Sequence, residues 1–164
     1  MMKDKSNQDS EDYKKMDLKR GVDYIGVNCA FFCHDRDNRF LMHKRSQNCR
    51  DEQGRWDNGA GAMEHGETFE ETVRREVLEE YGAEPIEIEY VLTKNVLRDN
   101  NGQKTHWIKN LHWVLVDPGQ VKNNDPEKID EIGWFTFDDL PEPLHSQFHK
   151  GLETIKKHIE SKKR

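Results

Sequence analysis

Apolar and polar positions fall into blocks of different period along the chain. VDYIGVNCAFFC (22–33) is a nearly continuous run of β-branched, aromatic and small apolar residues, which predicts a buried strand. HDRDNR is a polar turn, and FLMHKR (40–45) predicts the returning strand. SQNCRDEQGR (46–55) is a polar loop that leads to Trp56 and the glycine-rich NGAG (58–61). The period then becomes helical. Thr68 is a capping residue, with Glu71 three positions on as its capping-box partner, and Gly82 is a natural stop. Phe69 to Tyr81 holds no glycine or proline. IEIEYVLTKNVL (86–97) alternates as a strand, DNNGQ turns, and THWIKNLHWVLV (105–116) pairs back. A loop, DPGQVKNNDPEK, precedes a short strand IGWFTF (132–137), and LHSQFHKGLETIKKHI (144–159) predicts a C-terminal amphipathic helix. Several strands around two helices predict a mixed α/β class.

The first helix has an unusual polar face. Take about 100° per residue with Phe69 as origin; Val73, Val77 and Tyr81 then fall at about 40°, about 80° and about 120°, a stripe for the core. Glu76 falls at about −20° and Glu80 at about 20°, within or beside that stripe, and Glu79 at about −80°. Leu78, at about 180°, breaks the pattern. Residues 61–83 hold seven glutamates and two arginines. A solvated acidic face would point away from the stripe. Carboxylates at the core edge need partners, because desolvated charge is costly unless paired. Arg75 can support Glu79 but cannot neutralise all three. A hard divalent cation can, and Mg²⁺ takes oxygen ligands while keeping waters and phosphates. Gly59, Gly61 and Gly66 allow close backbone approach just before the helix. Spacing alone leaves two readings open: a metal–phosphate site and a structural acidic helix.

Composition narrows the setting. The chain has 164 residues, suited to one domain, with a net charge of −6 that gives no general pull toward nucleic acid polymers or anionic membranes. No apolar run approaches the roughly 20 residues of a membrane helix. Residues 1–20 read as a charged flexible tail without a secretory signal, leaving 21–164 as a single domain. Cys29, Cys33 and Cys49 form no disulfide framework or zinc pattern, which suggests a reducing, cytoplasmic setting.

The segment 61–83 resembles the Nudix box of the MutT/Nudix hydrolase family, Gx5Ex7REUxEExGU, with U a bulky aliphatic residue. Gly61, Glu67, Arg75, Glu76, Glu79, Glu80 and Gly82 fill every fixed position. Ala83 is smaller than the usual final residue, and Gly59-Ala60-Gly61 stands where many members have Pro-Gly-Gly. The resemblance spans about residues 21–155. It implies an α/β/α sandwich around a mixed sheet. It also implies Mg²⁺- or Mn²⁺-dependent hydrolysis of a nucleoside diphosphate linked to a group X, by attack of a metal-activated water on phosphorus. By resemblance Glu76, Glu79 and Glu80 are metal ligands and catalytic. The Gly61 carbonyl is a further ligand, Glu67 a supporting one, and Arg75 orients the glutamates. The general base is Glu76 or a glutamate of a later loop, for which Glu127 is the candidate and Glu131 the reserve. A homodimer is the family expectation.

Outside the box, Lys44 and Arg45 at the end of the second strand are candidates for binding phosphates. Trp56 is a candidate for stacking on a nucleobase, a role open also to Trp107, Trp113 and Trp134. Their alternatives are a solvated strand end and the core. His145 and His149, at i,i+4 in the last helix, read as surface residues. ADP-ribose hydrolases tend to carry a proline about fifteen residues past the box, and diadenosine polyphosphate hydrolases a tyrosine near that place. This chain has Arg98-Asp99-Asn100-Asn101 there. The default is then a nucleoside triphosphate pyrophosphohydrolase releasing a monophosphate and pyrophosphate. The alternatives are a hydrolase of nucleotide sugars or dinucleotides, and a Nudix-fold binding domain without catalysis.

Overall fold

Strand β1 (Gly26–His34) sets the architecture, because both of its faces are apolar and both are covered. Side chains alternate across a strand. Cys29, Phe31 and Cys33 pack against Val73, Val77 and Tyr81 of helix α1 (Phe69–Tyr81). Ala30 and Phe32 pack on the opposite side against Phe148, Leu152 and Ile155 of helix α2 (Phe148–Lys162). The result is an α/β/α sandwich with one apolar layer on each side of the sheet. Phe31 and Phe32 are both fully buried. Each such ring stabilises the fold by roughly 1.5–3 kcal/mol relative to exposure.

The computed structural model describes residues 17–163. Among these, the remaining strands are β2 (Phe40–Arg45), β3 (Trp56–Asp57), β4 (Gly59–Ala62), β5 (Glu87–Asn100), β6 (Gln103–Leu115) and β7 (Ile129–Phe135). The sheet runs β3-β2-β1-β6-β5, with β4 also paired to β1 and β7 to β2. β1 and β6 are parallel and the other pairs antiparallel, so the sheet is mixed. The β5–β6 hairpin turns on Asn101 and Gly102, at φ 54° and 89°. A two-residue loop with positive φ at both positions matches the twist of the strands it joins.

Three elements start three or four residues from where the pattern places them. β1 begins at Gly26, and Val22, Tyr24 and Ile25 are exposed. Backbone bonds from Val22 and Asp23 to the Lys19 carbonyl fold that stretch into a turn. β7 starts at Ile129, three residues early. α2 starts at Phe148, because Pro143 and His145 bond instead to the backbone of Trp56. His145 is therefore off the helix and buried, not a surface residue. Of the charged stretch 1–20, residues 1–16 lie outside the described residues; at its end, Arg20 donates to the Met63 carbonyl at 3.1 Å. Neither described helix is long and apolar enough to cross a membrane.

Candidate active site

Local sequence fixes α1 at both ends. Thr68 Oγ1 accepts from the Glu71 amide at 3.2 Å, and Glu71 Oε2 accepts from the Thr68 amide at 2.7 Å. Gly82 closes the helix at φ 64°, its amide donating to the Leu78 carbonyl. Thr72, Val73, Val77 and Tyr81 form the buried face. Phe69, expected on that stripe, is 40% exposed. The helix presents Glu76 and Glu80 to β4. There the glycines matter for space. A Cβ on Gly61 would overlap the Glu76 carboxylate, and one on Gly59 would meet the Phe31 ring and Glu80 Oε2. A side chain at either position would displace a glutamate.

The carboxylates around this strand divide into two groups. Arg75 organises the first: Nε and Nη2 donate to the two oxygens of Glu67 at 2.6 and 3.0 Å, Nη1 to Glu76 at 2.6 Å, and Nη2 to the Ala62 carbonyl at 3.0 Å. Hydrogen bonds from Arg75, then from the Glu64 amide, hold the Glu67 carboxyl down at about 2. Thr72 Oγ1 adds a third donor to Glu67, at 2.8 Å. Glu80 is the opposite case. Its Oε2 is buried with no hydrogen-bond partner. Burial, followed by the charge of Glu76, pushes its pKa well above the usual carboxylate range. Burial also raises Glu76, with Arg75 offsetting part of the shift. Glu79 stays 58% exposed at the rim, 3.5 Å from Arg75.

Glu76, Glu79 and Glu80 line one cleft of about 610 Å³ with Gly61, Arg45 and Lys128. The structure thus brings together the three box glutamates, Gly61 and Arg45. Among the described residues, no three acidic, histidine or cysteine side chains stand close enough to hold an ion as placed. The exposed Glu79 has the freedom to turn inward. Other candidates lie elsewhere. Lys44 is adjacent to Arg45 on β2, so it points to the opposite face of the sheet and does not line the cleft. Trp56 is 6% exposed and packs edge-on against Phe135, in the core and not on the cleft wall. Glu127 reaches the site through its backbone: its carbonyl accepts from Ser46 Oγ at 2.5 Å and Asn48 Nδ2 at 3.0 Å, while its side chain is exposed. Glu131 is exposed on β7 opposite Lys44. The acid of that later loop that does line the cleft is Asp125.

Sequence reasoning missed several lining residues. Across β4 a second chamber of about 270 Å³ shares Arg45, Arg50 and Gly61 with the first. Its far walls are Asn28, Arg98, Trp107 and Lys109. Trp107, not Trp56, is thus the tryptophan facing this space. Val96 and Trp107 are register partners across β5 and β6, as are Lys94 and Lys109. The Asn-Gly hairpin signal, followed outward by counting, would have found them. His43, at 5% exposure, also lines the cleft. Burial, then the charges of Arg45 and His145, hold its pKa down at about 3, so the ring is neutral.

A model of the NUDIX domain matches residues 25–155. The chain belongs to the Nudix family. Among curated relatives, the 8-oxo-dGDP phosphatase NUDT18 of Mus musculus is 29% identical over 134 residues, 79% of this chain and 37% of that protein. The NAD-capped RNA hydrolase NudC of Citrobacter koseri is 34% identical over 85 residues, 50% of this chain and 29% of that one. The chain therefore spans about a third of the length of these Nudix relatives. A MutT NUDIX hydrolase from Burkholderia pseudomallei superposes with a TM-score of 0.71 at 28% identity, covering 80% of this chain and 98% of that one. The NUDIX domain of Shewanella oneidensis NrtR, crystallised with ADP ribose, shares the fold at a TM-score of 0.66 and 18% identity, covering 92% and 97%.

Proposed function

We propose that this chain is a divalent-metal-dependent hydrolase of a phosphoanhydride bond in a nucleoside diphosphate linked to a group X. One observation carries the reading: Glu80 has a buried carboxylate oxygen without a partner, next to a second carboxylate and under a strand whose glycines leave room for both. A buried anion in that state costs several kcal/mol, and a hard cation offsets the cost. The residues fit such an ion. Glu76, Glu79 and Glu80 would hold Mg²⁺ or Mn²⁺, with the Gly61 carbonyl as a further oxygen and Glu67 in support through Arg75. When bound, the ion supplies charge neutralisation to phosphate oxygens and lowers the pKa of a bound water.

The chain's own residues do the rest. Arg75 fixes the Glu76 carboxylate by the bond at 2.6 Å. Glu76 accepts the proton of the attacking water; it lines the cleft, whereas the side chains of Glu127 and Glu131 face solvent. Arg45 and Arg50 stand between the two chambers, where a phosphate chain passing from one to the other would meet positive charge. Water adds to phosphorus, the bridging P–O bond breaks, and the leaving phosphate keeps the bond's electrons. A nucleoside triphosphate, giving a monophosphate and pyrophosphate, is the first substrate class. Similarity to a protein named 8-oxo-dGDP phosphatase favours a second, a nucleoside diphosphate giving a monophosphate and phosphate.

The test is a panel of nucleoside di- and triphosphates, nucleotide sugars and dinucleotides, incubated with Mg²⁺, Mn²⁺ or EDTA. Wild type and Glu80→Gln run side by side. Metal-dependent turnover of one class, lost in the variant, supports the reading and names X. No turnover by wild type, with nucleotide still bound, would make this a binding domain.

A further inference from the structure

His43 shares the glutamate cleft, yet the hydrolase reading gives it no task. Its Nδ1 lies 2.6 Å from the Tyr81 hydroxyl. Tyr81 is 1% exposed, in the last position of α1, with its ring held edge-on against Phe31. Among the described residues that hydroxyl makes no other hydrogen bond. A buried hydroxyl proton needs an acceptor, and Nδ1 is the one within reach. Tyr81 therefore donates, Nδ1 carries no proton, and the ring proton sits on Nε2. With Nδ1 engaged, the ring's other edge supplies the N–H donor on the cleft that His43 lines. Among the described residues the ring's side-chain hydrogen bond is the one to Tyr81, which leaves that donor for a ligand. The donor also brings no positive charge, so it would not repel a cation held by the glutamates.

We propose that His43 is a substrate-contacting residue of this site: Tyr81 holds it as the Nε2–H tautomer, and it donates one hydrogen bond to a phosphate oxygen in the glutamate cleft. This inference rests on the hydrolase reading above. A histidine is more than the fold requires here, since an amide oxygen would satisfy the Tyr81 hydroxyl equally well.

Two experiments test it. The first is independent of turnover. Long-range ¹H–¹⁵N spectra of histidine-labelled wild type should show His43 protonated on Nε2, and its Nε2 resonance should move on addition of Mg²⁺ with inorganic pyrophosphate. The Tyr81→Phe variant should show mixed tautomers. A wild-type ring protonated on Nδ1, or an Nε2 signal that ignores pyrophosphate, overturns the proposal.

The second uses the substrate found by the panel. The amide nitrogen of His43→Gln reaches the place of Nε2, whereas that of His43→Asn reaches only the place of Nδ1. The donor role predicts that Asn loses about 10²-fold in kcat while Gln stays within about tenfold of wild type, a size typical of one lost donor to a developing oxyanion. An Asn variant as active as wild type would mean that His43 serves only Tyr81. A wild type inactive on the whole panel would sink the hydrolase reading instead, and the pyrophosphate titration would still decide whether His43 meets phosphate.

Discussion

Glu67 and Glu80 stand on either side of Glu76, and the protein treats their carboxylates in opposite ways. At the outer corner Glu67 accepts from Arg75, Thr72 and the Glu64 amide. At the inner floor Glu80 has an oxygen with no donor at all and Glu76 as a like-charged neighbour. The corner is complete within the chain. The floor is short of positive charge, although Lys128 and Arg45 are nearby on the cleft wall. Carboxylates that serve the fold are given their counter-charge by the sequence. One left without it, in a cleft open to solvent, is where the proposed cation would supply the charge.

The largest expected effect comes from removing the floor. Glu80→Gln should lower turnover by more than the roughly 10–100-fold that losing an outer-shell partner of a metal site costs. EDTA should do the same to wild type, measured as initial rates. Next is Gly61→Ala, which puts a methyl where the Glu76 carboxylate lies. It should cost about 2 kcal/mol by overpacking and roughly 10²-fold in rate by misplacing Glu76. Denaturant midpoints and kinetics report the two parts separately.

Breaking the corner should matter less. Arg75→Ala releases Glu67 and Glu76 together, but solvent screens part of the loss. We expect about 1 kcal/mol of stability and about tenfold in rate. If Arg75→Ala slowed turnover as much as Glu80→Gln, corner and floor would act as one unit. Thr68→Ala sharpens the contrast from the other side. It removes the cap and should cost about 1 kcal/mol in urea melts, with kcat unchanged.

The smallest effect on turnover lies on the α2 side of the sheet. His34 stacks on Trp113 with ring centroids 4.2 Å apart, and burial lowers its pKa from 6.5 to about 4. Between those values the unfolded chain binds the proton and the folded chain does not. Stability from the neutral ring is therefore complete above 6.5 and is lost as the pH falls toward about 4. The melting temperature should drop across that window, less steeply in His34→Phe, while the glutamate site is untouched by the substitution.

What could be read from sequence was what depends on near neighbours. The α1 helix, with its Thr68–Glu71 box and Gly82 stop, appears residue for residue, because caps act within one turn. β2 likewise runs from Phe40 to Arg45 as expected. The placement of Glu80 beside the buried stripe also followed from helical geometry, and it stands half-buried next to Tyr81. Failures came where a distant partner decides. Nothing local says that Pro143 and His145 will bond to Trp56, which shortens α2 and buries both Trp56 and His145. Lys44 and Arg45 are equivalent as a basic pair until the sheet assigns them opposite faces. The chamber of Asn28, Arg98, Trp107 and Lys109 exists only through the register of β1, β5 and β6. The hydroxyl that orients His43 comes from a residue 38 positions away.

On the proposed function, a cation is the partner that the Glu80 Oε2 atom lacks within the chain. Thermal unfolding of wild type and Glu80→Gln, each in EDTA and in excess Mg²⁺, tests this most directly. In EDTA the variant should melt no lower than wild type, since a carboxyl that burial and Glu76 disfavour from ionising is replaced by a neutral amide of the same shape. Mg²⁺ should raise the melting temperature of wild type alone, because only wild type binds the ion in the folded state. A variant that melts well below wild type in EDTA, or that gains as much from Mg²⁺, would contradict it.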